Sequence, residues 1–359
     1  MTALRRVARS IRRAPMFRDR TNALATIVLG AALAYAGIRF VDWGIVNAIW
    51  SLPPDAGSQA CRAARGDGAC WAVVAERFRF ILFGAYPFAE QWRPAVVCLL
   101  FVTLYAASTV RAWWNQRLPA LWIVLPATAV TLMRGGLFGL SEVPSEFWGG
   151  LPLTFLLATA GFAIAFPLAI ALALGRRSHL PAIKGLCIAY IELVRGVPLI
   201  TFLFMAAVMF PLFVPHGITI DKVLRAQLAL VIFVAAYLAE VIRGGLQAIP
   251  TGQYEAAASI GLSYWQSTIL IVLPQALRIS IPALVNTFIA FFKDTSLVIV
   301  IGLFDLLGAA KAVIVDAKWV GFGVEVYLFV ALVYFTFCFA ISHYSQHLDR
   351  VLMADRQGA

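Results

Sequence analysis

Residues 148–175 contain no charged side chain, a stretch long enough to cross the roughly 30 Å hydrocarbon core of a bilayer as one helix. Charge-free runs recur at 22–38, 94–110, 118–133, 196–220, 226–239, 256–277, 279–292 and 326–342. Inside lipid no water satisfies the backbone N–H and C=O groups, which leaves helices and closed barrels as the only spanning structures. The ~10-residue alternation of a barrel strand is missing. Of the 359 residues, 62% are apolar and 13% charged, against about a quarter charged in an ordinary soluble domain. The expected fold is all-α: a polytopic membrane helical bundle.

Letting flanking residues extend the shorter runs, and reading 184–213 as one long helix and 256–267 as a loop, gives about eight spans. They lie near 22–41, 94–111, 118–134, 150–175, 184–213, 226–246, 270–293 and 324–343. Lys and Arg in the loops set orientation. Seven Arg (Arg5, Arg6, Arg9, Arg12, Arg13, Arg18 and Arg20) crowd the first 20 residues. With that end cytoplasmic, both termini lie inside. Fifteen of the 29 Lys and Arg then face the cytoplasm against four acids, eleven face outward against eleven, and three lie in spans against three. The net +11 is therefore wholly cytoplasmic, which reads as a topology signal next to anionic headgroups rather than a nucleic-acid surface. The segment also lacks a convincing cleavage pattern and is read as an uncleaved first span.

Cys98, Cys187 and Cys338 lie in apolar runs, as small core residues do. Cys61 and Cys70 sit in a polar outer stretch, where an oxidising compartment permits a disulfide; two unrelated thiols are the alternative. The four His are dispersed, and no metal site is expected; His343 and His347 suit a helix end, capping its last carbonyls or sitting at the membrane interface. Residues 1–149, with three spans and the loop 42–93, read as an accessory membrane region. Residues 150–345 carry five spans and the motif-like polar residues, and 346–359 form a cytoplasmic tail.

The most informative stretch is GQYEAAASIGLSYWQSTILIVLP, residues 252–274, within a loop at 250–269. Pro250 and Thr251 start a short helix, Ala256 to Ala258 leave a thin face, and Gly261 suits the left-handed residue that closes it. Ser263 opens a second helix with Gln266 completing a capping box. The product is a compact helix-turn-helix able to lie in a groove on another protein, or else a plain hairpin joining two spans.

Glu255, Ala256, Ala257, then Gly261, Ile271, Leu273 and Pro274 at their spacing resemble the EAA loop of permease subunits in bacterial ABC importers. AYLAEVIRGGLQAIPTGQYEAA (236–257), IELVRGVPLITFLF (191–204) and FFKDTSLVIVIGL (291–303) resemble the polar amino-acid permeases, including histidine and glutamate types. The extra N-terminal spans resemble the larger general L-amino-acid permeases of Gram-negative bacteria. The resemblance implies a five-helix type I importer core over 150–345, in the bacterial inner membrane. It implies a permease rather than an enzyme, with Gln253, Tyr254, Glu255, Ala256, Ala257 and Gly261 coupling to an ATPase. No Gly-Lys pair occurs anywhere, so no phosphate-cradling loop is present. ATP and Mg are thus expected on a separate ATP-binding subunit. The other implied partners are a second permease subunit in a heterodimer, a periplasmic amino-acid-binding protein and the amino acid itself.

Ionisable residues within spans are costly and therefore functional candidates. Glu192 and Arg195, three apart, either neutralise each other or line the path, and Glu240 with Arg243 repeats that spacing. Lys293, Asp294, Thr295 and Ser296 end a span made irregular by Pro274, Pro282 and Asn286. Lys293 suits a substrate carboxylate, while Asp294 and the hydroxyls suit an ammonium; bracing of Lys293 or capping of a broken helix is the alternative. A secondary, ion-coupled transporter would use the same charged pairs without an ATPase.

Overall fold

The structure is a computed structural model that describes residues 19–52, 58–115, 117–137, 139–215 and 219–357. The Arg-rich stretch 1–18, His216 and the side chain of His347 lie outside the described residues. The helices are α1 (Arg20–Val41), α2 (Gln59–Ala63), α3 (Ala72–Phe83), α4 (Trp92–Thr109), α5 (Arg117–Arg134) and α6 (Gly150–Arg176). Next come α7 (Pro181–Gly196), α8 (Leu199–Phe213, with a π turn at Met205–Met209), α9 (Lys222–Gln247) and the short α10 (Thr251–Ser259). The span α11 (Tyr264–Ile301) is followed by the two-residue β1 (Phe304–Asp305), α12 (Leu306–Ile314) and α13 (Gly323–Gln357).

Every expected span falls on a helix, but six among the described residues are long and apolar enough to cross a membrane, or seven if α7 and α8 form one span. The eighth, α5, is 18 residues long with an Arg at each end. The expected single helix over 184–213 is broken: α7 and α8 meet at 99°. The cause is local. Pro198 crowds the residue before it out of the helical region, and Val197 is extended at φ −111°, ψ 134°. Past the break, the π turn leaves carbonyls unpaired, and Arg225 of α9 donates to the Ala207 carbonyl at 2.7 Å. A second π turn, Thr268–Val272, precedes Pro274, whose ring cannot donate to the carbonyl four residues back. The expected tail is helical too: α13 continues to Gln357, so His343 lies mid-helix, stacked on Phe339 at 6.1 Å, rather than capping an end.

The chain gathers into two compact units, Met1–Glu76 with Asp316–Val326, and Arg77–Val315 with Tyr327–Ala359. They do not part at residue 150, because α4 and α5 pack on each other and on α6. In the larger unit α6 and α9 form the centre, flanked by α7 and α11. Gly161, Ala165, Ala169 and Ala173 put small buried side chains one turn apart along α6, which permits close helix approach in lipid. At Gly245 on α9 a Cβ would run into Ser280 and the Ala276 carbonyl of α11. An aromatic layer closes the opposite half: Tyr105 bonds Thr159 at 2.6 Å, and Phe155 meets Phe337 edge-on at 4.9 Å. Arg93, fully buried, pairs with Glu90 at 2.8 Å and donates to Ser141, as a buried charge requires.

In the smaller unit no described residue of α1 is buried. Its loop segment is tied covalently: Cys61 and Cys70 are disulfide-bonded, their Cα atoms 5.6 Å apart. The Cys70 N–H donates to Glu325 at 3.0 Å, Arg62 to the Ala317 carbonyl at 3.1 Å, and Lys318 pairs with Glu76 at 2.6 Å. The loop thereby fastens to the connector that leads into α13.

Within the larger unit Asp305 is fully buried. It caps α12 through the Gly308 N–H at 2.8 Å and accepts from the Tyr334 hydroxyl at 3.1 Å. Burial pushes its carboxyl up to about 6, against the pull of the Gly308 and Leu307 N–H groups, Tyr334 and Lys311. The unfolded value is about 3.9, so the folded chain holds the proton more tightly. The stability this supplies is full below pH ~4 and is lost as pH rises through about 6. We expect the thermal midpoint of the detergent-purified protein to carry this falling component between those values. Asp305→Asn, which keeps a capping oxygen, should lose it; an unchanged pH profile in the variant would refute the assignment.

Candidate functional site

The loop at 250–269 folds as its residues dictate. Helix α10 ends in a two-bond motif: Gly261 donates to the Ala258 carbonyl at 3.0 Å and Leu262 to that of Ala257 at 3.1 Å. This closure needs a left-handed residue, and Gly261 sits at φ +79°. Ser263 and Gln266 form the reciprocal capping box, with bonds of 3.4 and 2.9 Å.

The thin face differs from expectation. Ala257 is 1% exposed, pressed against the protein itself, whereas Gln253, Glu255, Ala256 and Ala258 face outward. Successive helix residues point about 100° apart, so three consecutive Ala cannot share one face. Ala257 seats α10 on its own chain; Ala256 and Ala258 leave the outer surface smooth. Exposed Ile260, Tyr264 and Trp265 extend that surface with apolar area.

Two struts hold α10. Arg177, just past α6, donates to the Tyr254 hydroxyl at 3.1 Å and to the Leu246 carbonyl at 3.0 Å. Gln275 of α11 donates to Gln253 at 3.0 Å and to the Ile271 carbonyl at 2.9 Å. Neither residue carries a recognisable sequence signal. Gln275 resembles any polar residue near a span end, and Arg177 merges with Arg176 into what reads as an ordinary basic loop.

Above the loop lies a charge cluster at the ends of three helices. Glu240 of α9 accepts from Arg243 at 3.0 and 2.8 Å and from Arg176 of α6 at 2.8 Å, with Arg195 of α7 3.7 Å away. Arg176 also bonds Glu192 at 2.9 Å. The pair expected between Glu192 and Arg195 is therefore not the arrangement found: Arg176 takes Glu192, and Arg195 turns to Glu240 and the Tyr237 ring, 5.6 Å from its centroid. The Glu240–Arg243 pair does form, as the core of the cluster.

The third candidate group lies apart from this cluster in sequence, at the end of the α-helical run of α11. Lys293 and Asn286 are exposed, and Asp294 and Ser296 are half-buried. Thr295 is fully buried, its hydroxyl spent on the Phe292 carbonyl at 2.8 Å. Asp294 makes no side-chain cap on the 3-10 turn Thr295–Ile301 that follows, so the capping alternative does not describe it. Among the described residues no three His, Cys, Asp or Glu gather to hold a metal.

Residues 165–353 match the family described as "Binding-protein-dependent transport system inner membrane component". The chain belongs to that family. This permease is 46% identical to the inner membrane amino-acid ABC transporter permease protein YhdY of Escherichia coli strain K12, over 86% of its own length and 83% of that protein. It is 36% identical to the glutamate/glutamine/aspartate/asparagine transport system permease protein BztC of Rhodobacter capsulatus, over 92% of both chains. Matches of that breadth reach into residues before 150. A crystal structure of an amino acid ABC transporter with histidines is similar over 56% of this permease and 91% of that chain, at 32% identity and a TM-score of 0.50.

The closing turn is testable alone. Gly261 has open space around it, so a substitution there meets only the backbone cost of the left-handed region, about 1–2 kcal/mol. We expect Gly261→Val to speed limited proteolysis within 250–269 in the purified protein. Gly252→Ala, also in open space but at ordinary φ, should not; equal rates for both variants would contradict the closing role.

Proposed function

We propose that this permease is the transmembrane subunit of an ATP-driven amino-acid importer, forming half of the translocation path and presenting α10 to a separate ATP-binding subunit. The observation that carries the reading is the geometry of α10: a capped, braced helix with Ala257 as its seat and a smooth outer face at Gln253, Glu255, Ala256 and Ala258. A helix so held transmits a push, whereas a slack hairpin absorbs it. The amino-acid substrate is inferred from the relatives' own descriptions.

In this assembly ATP and Mg belong to the ATPase, and the permease carries out no bond chemistry. A second permease subunit completes the path, and a periplasmic binding protein delivers the amino acid. The chain lies in the inner membrane with both termini and α10 cytoplasmic, the orientation favoured by its basic loops. Residues 150–345 serve as the importer core and 1–149 as an accessory region. Lys293 and Asp294 meet the substrate's carboxylate and ammonium groups, with Ser296 and Asn286 beside them on the same span.

The test is purification of the tagged permease from native membranes, followed by uptake in proteoliposomes. We expect an ATP-binding subunit, a second permease and a binding protein to copurify, and uptake to follow internal ATP without responding to a protonophore. Lys293→Ala should lower uptake at least about tenfold, the cost of one charge-assisted bond, while the complex stays intact. Uptake that collapses with the proton gradient at constant ATP would favour an ion-coupled carrier, for which the family match offers no support.

A further inference from the structure

We propose that the adjacent arginines Arg176 and Arg177 are positioning residues that link the coupling helix α10 to the break between α7 and α8. The inference rests on the reading that α10 seats an ATPase. The two side chains leave the end of α6 in different directions, as neighbours on a helix do. Arg177 Nη1 reaches down to the Tyr254 hydroxyl on α10 and to the Leu246 carbonyl, one of the unpaired acceptors in the last turn of α9. Arg176 Nη1 reaches across to Glu240 on α9 and Glu192 on α7.

Glu192 lies one turn before Gly196, where α7 stops ahead of the 99° bend. A displacement of α10 therefore acts on the end of α6 through Arg177, and on the last turn of α7 through Arg176. The backbone between the two arginines is a single peptide unit, which is planar and stiff. Arg176 and Glu240 are held firmly, at 21% and 14% exposure, whereas Glu192, at 55%, is the looser end of the link. Nη1 of Arg176 meets both carboxylates at once, and the planar guanidinium is suited to this fixed arrangement in a way a lysine point charge is not. Gln275 supplies a parallel strut from α10 to α11, its amide bonded to Gln253 and the Ile271 carbonyl rather than to the charge cluster.

The experiment uses the whole complex in proteoliposomes with its binding protein and a radiolabelled L-amino-acid mixture, and reads the amount imported per ATP hydrolysed. We expect Arg177→Ala and Arg176→Gln each to keep subunit stoichiometry yet to lower that ratio about threefold to tenfold. Because both act in one series linkage, the double variant should fall no further than the worse single. Arg176→Lys should recover part of the loss, and Tyr254→Phe, which removes one hydroxyl, should show a smaller loss in the same ratio. Native ratios in both single variants, or a double variant that loses the product of the two, would overturn the linkage. Release of the ATPase by Arg177→Ala and Tyr254→Phe alike would also overturn it, making these residues part of the seat. If the unaltered complex imports without hydrolysing ATP, the underlying reading falls as well, an outcome visible before any variant is made.

Discussion

The carboxylate of Glu240 is the point on which the lower half of the helical core depends. Three arginines, with side chains 21–36% exposed, converge on it from α6, α7 and α9, and without it they would face one another with only Glu192 left to pair with Arg176. Removing one partner from a buried pair costs about 3–5 kcal/mol, less where solvent screens the charges. At 14% exposure Glu240 stands nearer the buried case, whereas Glu192 at 55% stands nearer the exposed one. The cluster is thus firm at Glu240 and looser toward α7, where the chain also breaks.

The irregular helices follow from the same constraint at the level of the backbone. In lipid a freed carbonyl must find a donor, and at two irregular points an arginine supplies it. Arg225 does so at the π turn of α8, and Arg177 does so at the end of α9. A polar residue is placed at each of these points, and the one at Arg177 also holds α10. Satisfaction of the backbone and bracing of α10 are thereby two uses of one side chain.

Much of this was legible in the residues because its causes are local. Charge-free runs marked each helix that crosses or nearly crosses the bilayer. Gly261 and the Ser263–Gln266 spacing announced a turn whose hydrogen bonds involve residues within five positions. Pro198 was equally visible, yet the run around it reads as one helix when apolar length is given more weight than the restriction on Val197. The contacts of long sequence separation were hidden. Glu192 looks paired with Arg195 until α6 brings Arg176 between the helices, and the attachment of Cys70 to Glu325 spans 255 positions. Ala257 shows a subtler failure: its place in a run of small residues suggested an outward face, while helix rotation turns it inward.

The most direct measurement is site-specific photo-crosslinking on the purified complex, with the reactive group placed in turn at Glu255, Ala256 and Ser259 on the exposed side of α10, and at Leu224, an exposed position near the opposite end of α9. We expect the three α10 positions to capture the ATP-binding subunit and Leu224 not to. Capture of that subunit from Leu224 with none from α10 would contradict the coupling role of this helix.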